Sequence, residues 1–188
     1  MSTLLTKAYG VPQPKSFSEK YQHKFFCNIV QGDVSNDVRQ ENSVSFKAGE
    51  FMPTGSIAYI DANGQGVAGL GKSTATEAVI PQIVFVGSEH GNVSSERGNS
   101  GCGLITLIPL TQGKTIMTTV FDKDASYKVG TILTAKEVTI GDKKVYGVAP
   151  AAAGDVQVGI VRAVPGKTHY GVDGIIFDAN YVAGTTAA

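Results

Sequence analysis

The chain has 188 residues, of which 42% are hydrophobic, and its 16 Lys and Arg residues balance its 16 Asp and Glu residues. This length suits one domain of ordinary size with an arm, and the apolar content excludes wholesale disorder. The even charge balance argues against a nucleic-acid-binding track, so we expect no nucleic acid among the partners. Abundant Gly, Thr and Val and the absence of Trp favour strands joined by tight turns over a helical bundle.

The first 22 residues differ in character from the rest of the chain. They contain Pro12 and Pro14 and show little hydrophobic periodicity. We therefore predict an extended arm over 1–22 and a single β domain over 23–188. The N-terminus lacks the apolar core of a signal peptide, and no apolar run approaches the roughly 18 residues needed to cross a bilayer. We expect synthesis in a cytoplasm and no membrane partner.

From Lys24 onward, short runs rich in β-branched and aromatic residues follow one another, giving about ten strand candidates. No window keeps an apolar stripe at helical spacing for three turns. The best helical segment is 73–80, which Pro81 limits to about two turns. The fold class predicted is mainly β, as an antiparallel β-sandwich or β-barrel-like domain.

Two turn signals and one long loop punctuate these strands. Asn63-Gly64 and Gly141-Asp142 each lie between strand candidates and predict tight hairpins. The stretch 87–103, rich in Gly, Ser and Asn, predicts a long loop that is mobile or contacts a partner.

Residues 66–73, GVAGLGKS, match the phosphate-loop pattern G-x-x-x-x-G-K-[ST] at every fixed position. Phosphate binding requires a buried parallel strand before the loop and a helix after it. Residues 61–65 instead predict a hairpin turn, and the alternating helices of a nucleotide-binding fold are missing, although Gly174–Asp178 resembles a Walker B strand. We interpret 65–70 as the return strand of a hairpin, with an NTPase as the less favoured alternative.

Other catalytic and metal-binding patterns are incomplete. Gly98–Gly101 resembles the nucleophile turn of serine proteases, but His90 lies only ten residues before Ser100, and a flexible Gly/Ser loop is the favoured interpretation. Cys27 and Cys102 both lie beside apolar residues, which predicts buried free thiols. Asp61–Gly64 and Asp122–Asp124 resemble fragments of calcium loops without the closing Glu and are interpreted as turns. The sequence thus predicts no enzyme, no catalytic residue, no metal and no cofactor.

A resemblance to a known family is carried by three stretches: 46–65 (FKAGEFMPTGSIAYIDANGQ), 129–164 (VGTILTAKEVTIGDKKVYGVAPAAAGDVQVGIVRAV) and 171–182 (GVDGIIFDANYV). Over roughly 45–70 and 128–182, their rhythm of strand, turn and Gly-rich strand resembles tailed-bacteriophage capsid decoration (cement) proteins. The resemblance implies a β-sandwich or barrel-like protein of the virion, on the outer surface of the head. Such proteins bind the major capsid protein and staple its neighbouring subunits, often as homotrimers and sometimes through an N-terminal arm.

From this resemblance we expect residues 1–22 to lie along a neighbouring capsid or decoration subunit, with Tyr9, Pro12 and Pro14 as contacts. An arm that orders on docking adds contact area, and bridging several subunits raises the effective concentration of each contact. The alternative is another virion β-protein, such as a tail tube, a connector or a head-fibre base. A tail tube subunit needs a long hairpin, which residues 87–121 could supply.

Overall fold

A computed structural model of the protein describes residues 25–31, 43–45, 52–74, 76–85, 104–167 and 173–182. Within these ranges the fold is all-β, with two sheets whose neighbouring strands are antiparallel, and this confirms the predicted fold class. The predicted boundary between arm and domain at residue 22 lies outside the described residues. In chain order the strands are β1 (Cys27–Gln31), β2 (Ser43–Ser45), β3 (Ile57–Ile60), β4 (Gly66–Ala68), β5 (Gln82–Phe85), β6 (Leu104–Pro109), β7 (Thr115–Thr118), β8 (Ile132–Ile140), β9 (Lys143–Pro150), β10 (Gln157–Lys167) and β11 (Asp173–Val182).

The six-stranded sheet has the order β1-β7-β11-β10-β8-β9 and curls toward closure. Phe121, just beyond β7, forms a parallel bridge with Val148 of β9. The amide of Asp122 donates to the Val148 carbonyl at 2.9 Å, and the Val148 amide donates to the Val120 carbonyl at 3.1 Å. The chain after β7 therefore returns beside the far edge of its own sheet, which makes this sheet nearly a barrel.

The five-stranded sheet has the order β2-β6-β5-β3-β4 and buries both of its faces at the centre. Ile57, Ile83 and Ile108 face the six-stranded sheet and belong to the core that the two sheets share. Their chain neighbours Ala58 and Val84 point the opposite way into a second cluster, because successive strand residues alternate between faces. Double burial explains why these strands are continuous apolar runs in the sequence. The second cluster consists of Met52, Ala58, Val84, Ile105 and Leu107, with Val44 and Ala68 packed against it.

Both predicted hairpins are present. Asn63-Gly64 lies between β3 and β4, and Gly141-Asp142 joins β8 to β9; the two glycines have φ of 74° and 68°. At the first turn, one carboxylate oxygen of Asp61 accepts the amides of Asn63 and Gln65, each at 2.9 Å. The interpretation of this Asp as a turn residue is therefore confirmed.

Two structural alternatives that the sequence left open are not formed. The described residues of 73–80 form no helix, because hydroxyl groups take up the backbone amides. Ser73 Oγ accepts the amide of Val79 at 3.0 Å, and Thr74 Oγ1 accepts that of Glu77 at 3.0 Å. The described part of 87–121 is not a hairpin either, since β6 lies in the five-stranded sheet and β7 in the six-stranded one. The long hairpin whose turn is described is instead β8–β9.

Candidate partner-binding surface

The phosphate-loop pattern lies on a hairpin. Gly66–Ala68 form β4, which is antiparallel to β3, and the residues from Gly69 to Thr74 are not helical. The interpretation of this stretch as a return strand is confirmed, and the strand and helix that would hold a phosphate are not formed here.

The glycines of this pattern have packing roles. A Cβ on Gly66 would lie 2.9 Å from Cδ1 of Ile105 in the second apolar cluster, so a side chain there would crowd that cluster. Gly69 has φ of 102°, and its Cβ position is 3.1 Å from the ring of Tyr146 on β9. This second contact joins the β3–β4 hairpin to the six-stranded sheet. Close approach of neighbouring groups therefore explains why glycines stand at both positions.

Of the other residues that the sequence offered as thiols, turns, metal ligands or partner contacts, some lie in the described ranges and some lie outside them. Cys27 is a buried free thiol, as predicted, and burial raises its pKa. The turn interpretation of Asp122–Asp124 is confirmed, because Asp122 Oδ1 accepts the amide of Asp124 at 3.1 Å. Among the described residues no group of three His, Cys, Asp or Glu side chains could hold a metal ion. The predicted partner contacts Tyr9, Pro12 and Pro14 lie outside the described residues, as do Cys102, all three histidines and the loop 87–103.

A polar network crosses four strands on the outer face of the six-stranded sheet. Thr115 on β7 is the direct cross-strand partner of Gln31 on β1 and of Asp178 on β11. Arg162, on β10, donates from Nη1 to Gln31 Oε1 at 3.2 Å and to Thr115 Oγ1 at 3.0 Å. The same nitrogen lies 3.3 Å from Asp178 Oδ1, which also accepts the Thr115 hydroxyl at 2.6 Å. One guanidinium nitrogen thus reaches oxygen atoms on the three strands beyond its own.

This network helps to fix β1, the first described strand of the chain. Phe26 adds two hydrogen bonds to the segment after β7, because Thr119 donates its amide to the Phe26 carbonyl at 3.0 Å and accepts the Phe26 amide on its side-chain Oγ1 at 2.8 Å. Cys27 is buried in the shared core, and Ile29 packs against it. Whatever precedes Phe25 is therefore attached to the sheet edge by a strand held along its length.

A second surface feature is the turn that leads into β8. Thr131 donates its amide to the Lys128 carbonyl at 3.0 Å, and Lys128 donates its own amide to Thr131 Oγ1 at 3.0 Å. Gly130 has φ of 88° and donates to the Val161 carbonyl at 2.8 Å, while the Val161 amide donates to Thr131 at 2.9 Å. This is the pattern of a tight turn with Gly at its third position, followed by a bulge that starts at that Gly. The turn is held both internally and from β10, with Val129 at its tip.

The sequence carries a signal for each of these two features. Arg162 is the single charged residue in the strand VQVGIVRAV, and Val129-Gly130 interrupts a polar stretch just before a strand. A lone charge in an apolar strand marks the side of the strand that faces solvent, and an apolar residue at a turn tip has no core to enter.

Comparison of the chain with protein-family models, curated proteins and solved structures found no match. The described residues contain no helix that is long and apolar enough to cross a membrane.

Proposed function

We propose that this protein is a non-enzymatic structural protein of a tailed-phage virion. It binds the outer surface of the head and cements neighbouring major capsid protein subunits, as the sequence resemblance implies. Self-association, such as a homotrimer, is part of the same proposal. The observation that carries it is the strand and turn rhythm over 45–70 and 128–182.

The placement of these two segments in the fold supports this reading. The first contains the β3–β4 hairpin and the second contains β8 to β11, so together they contribute to both sheets. They meet where Gly69 packs on Tyr146, and Ile57 shares a core with Leu133 and Phe177. The two segments that carry the resemblance therefore pack against each other, as expected when a shared sequence rhythm reflects a shared fold.

The held strand β1 supports the proposed role of the arm. A segment that lies along a neighbouring subunit transmits force to the first fixed residues behind it. Among the first described residues, Phe26 is hydrogen-bonded to Thr119 and Cys27 is buried at the sheet edge. An arm over 1–22 with contacts at Tyr9, Pro12 and Pro14 would bridge subunits while the domain stays folded.

Head binding is the direct test. Heads prepared from a phage strain that lacks this gene are mixed with the purified full-length chain and sedimented. We expect saturable binding to expanded heads and a higher temperature of head disruption. A chain that stays in the supernatant at every concentration would refute the proposal.

The arm has its own test. A chain that lacks residues 2–22 should keep its β circular dichroism spectrum and bind heads more weakly. The triple substitution Tyr9→Ala, Pro12→Ala, Pro14→Ala tests the three named contacts in the full-length chain. Unchanged head binding by the truncated chain would remove the arm from the proposal.

One observation favours a tail tube as the second candidate. β8 and β9 form a continuous antiparallel hairpin from Ile132 to Pro150, the kind of element that ring stacking requires. Electron microscopy of the concentrated protein separates the candidates, because a tube protein polymerises into rings and tubes without heads.

A further inference from the structure

The tip of the β3–β4 hairpin brings together the two groups that react in the spontaneous deamidation of an asparagine. Asn63 and Gly64 are both exposed there, and no described heavy atom lies within 4 Å of the Cβ position of Gly64. In this reaction the backbone nitrogen of the next residue attacks the Asn carboxamide, and Gly obstructs the attack least because it has no side chain. Asn63 is the one Asn of the sequence that Gly follows. The sequence and the exposure of the turn therefore direct this chemistry to Asn63.

The reaction needs no reagent other than water. The Gly64 nitrogen gives its proton to solvent and forms a bond to Cγ of Asn63. The bond from Cγ to Nδ2 then breaks, and Nδ2 takes a proton from water and leaves as ammonia. Water opens the resulting cyclic imide at either of its two carbonyl carbons. Residue 63 becomes aspartate if the new bond to Cγ breaks, or isoaspartate if the original peptide bond to Gly64 breaks.

The closed turn opposes this reaction, because Asp61 holds both reacting groups in hydrogen bonds. The Gly64 amide donates to the Asp61 carbonyl at 3.0 Å, and an amide in such a bond loses its proton readily only when the bond opens. The leaving Nδ2 of Asn63 lies 3.4 Å from Asp61 Oδ2, and the Asn63 amide donates to Asp61 Oδ1 at 2.9 Å. Attack on the carboxamide therefore requires that the turn first opens.

The position of the hairpin makes opening without global unfolding plausible on physical grounds. β4 is an edge strand of the five-stranded sheet, and it pairs with β3 over only three residues. Ile60, the last residue of β3, is 39% exposed. Short edge elements with few buried contacts open at a lower free energy than the whole fold. The deamidation rate of the folded protein should therefore report on this hairpin.

We propose that Asn63 is a deamidation site whose rate is set by opening of the β3–β4 hairpin, with Asp61 as the residue that keeps the hairpin closed. This inference does not depend on the proposed function. The modification is one-way and weakens the turn that delays it. Aspartate places a second carboxylate beside Asp61, and isoaspartate adds a methylene carbon to the main chain of a turn whose length fixes the strand register.

The experiment measures the deamidation rate of Asn63 in the full-length chain. Samples folded in buffer and unfolded in guanidinium chloride are incubated at the same mildly alkaline pH and temperature. Peptides are then analysed by mass spectrometry, with chromatography to separate aspartate from isoaspartate. The protection ratio is the rate in the unfolded chain divided by the rate in the folded protein. Asn180, which Tyr181 follows, is the internal reference because a bulky side chain obstructs the same attack.

Three variants test the role of Asp61. Asp61→Ala removes the carboxylate that accepts the amides of Asn63 and Gln65, whereas Asp61→Asn keeps an acceptor oxygen. Asp142→Ala is the matched control, since Asp142 is an exposed turn residue of the β8–β9 hairpin. Circular dichroism and urea unfolding check the fold and the global stability of each variant.

We expect a protection ratio of about ten or more for the unsubstituted chain, but a smaller ratio than global unfolding alone would give. Asp61→Ala should lower the ratio by about threefold or more, the scale of losing hydrogen bonds in a partly exposed site. Asp61→Asn should retain more of the protection than Asp61→Ala. Asp142→Ala should stay within about twofold of the unsubstituted chain, because distant sites act independently.

Each part of the proposal can fail separately. If Asn63 of the unfolded chain reacts no faster than Asn180, Asn63 is not a deamidation site. Equal rates in the folded and unfolded chains would show that the closed turn gives no protection. A folded-state rate equal to that expected from global unfolding would refute control by the hairpin. A protection ratio that Asp61→Ala leaves unchanged would refute the role of Asp61.

Discussion

The hydroxyl of Thr118 donates a hydrogen bond to the carbonyl oxygen of Gly55 at 3.0 Å, which joins the two sheets. Thr118 ends β7 in the six-stranded sheet, whereas Gly55 precedes β3 and donates its amide to Val84 of β5 at 2.8 Å. The same hydroxyl oxygen accepts the amide of Val120 at 3.1 Å, where the chain turns toward β9. The buried Thr118 hydroxyl thus bonds both to the segment before β3 and to the segment after β7 that closes the six-stranded sheet.

Substituting Gly55 should destabilise the protein more than substituting another glycine of similar backbone conformation. Gly55 and Gly113 have φ of 87° and 96°, so Ala costs about 1–2 kcal/mol of strain at either site. A Cβ on Gly55 would also lie 2.5 Å from Thr118 Oγ1 and 2.9 Å from the Phe26 carbonyl, whereas nothing lies within 4 Å at Gly113. We expect Gly55→Ala to lose about 1–3 kcal/mol more than Gly113→Ala in urea unfolding. Equal losses of unfolding free energy in the two variants would mean that the close contacts of Gly55 do not contribute to stability.

Removing the Thr118 hydroxyl should lower the free energy of unfolding even when the shape of the side chain is kept. Thr118→Val keeps the shape but leaves the Gly55 carbonyl and the Val120 amide without this partner in a buried site. We expect a loss of about 1–3 kcal/mol of unfolding free energy. Thr118→Ser keeps the hydroxyl and serves as the control, and the prediction fails if Val is tolerated better than Ser.

The ion pair between Arg162 and Asp178 should contribute little to stability. Both side chains are about half exposed, so water screens the 3.3 Å contact. A double-mutant cycle with Arg162→Met and Asp178→Asn should give a coupling energy below about 1 kcal/mol. Urea unfolding of the four proteins measures it, and a larger coupling would show that the network acts as a cooperative unit.

Stability should fall at alkaline pH because of Cys27. Burial raises the pKa of this thiol in the folded protein, so only the unfolded chain loses the proton above roughly pH 8.5. The unfolded state then binds fewer protons, and the unfolding free energy falls by up to about 1.4 kcal/mol per pH unit. Below pH 8.5 both states keep the proton, and the full stability is present.

The measurement is urea unfolding of the unsubstituted chain and of Cys27→Val between pH 7 and 10. Cys27→Val should show a flatter decline above pH 8.5. Burial, together with the charge of Asp122, also raises the pKa of Tyr127, whose unfolded-state ionisation is centred near pH 10; this contribution is present in both proteins and cancels in their comparison. Parallel declines in the two proteins would show that another group causes the pH dependence.

Nucleotide should not stabilise the protein through the phosphate-loop pattern. The exposed Lys72 follows an antiparallel strand, and no helix among the described residues points amides at a phosphate. We expect ATP with magnesium to leave the thermal unfolding midpoint of the unsubstituted chain and of Lys72→Ala unchanged. Stabilisation that is lost in Lys72→Ala would instead favour the NTPase alternative.

Local chemistry made part of this fold predictable from the sequence. The hairpins at Asn63-Gly64 and Gly141-Asp142 depend on residues that accept positive φ, and such turns need little help from the rest of the chain. Strand character likewise follows from short apolar runs with a period of two. The buried state of Cys27 was evident from its apolar neighbours.

Only the tertiary structure decided which strands pair and which surface is left open. The sequence places β6 and β7 next to each other, yet they enter different sheets, because pairing energy depends on cross-strand contacts with distant residues. Ser73 accepts the amide of Val79 where the sequence offered its best helical candidate, and Arg162 lies close to three oxygen atoms on other strands. The sequence by itself determined an antiparallel β protein with two tight hairpins. The nearly closed barrel, the double burial of the second sheet and the exposed Val129 turn come from non-local packing, which a period of two along the chain does not encode.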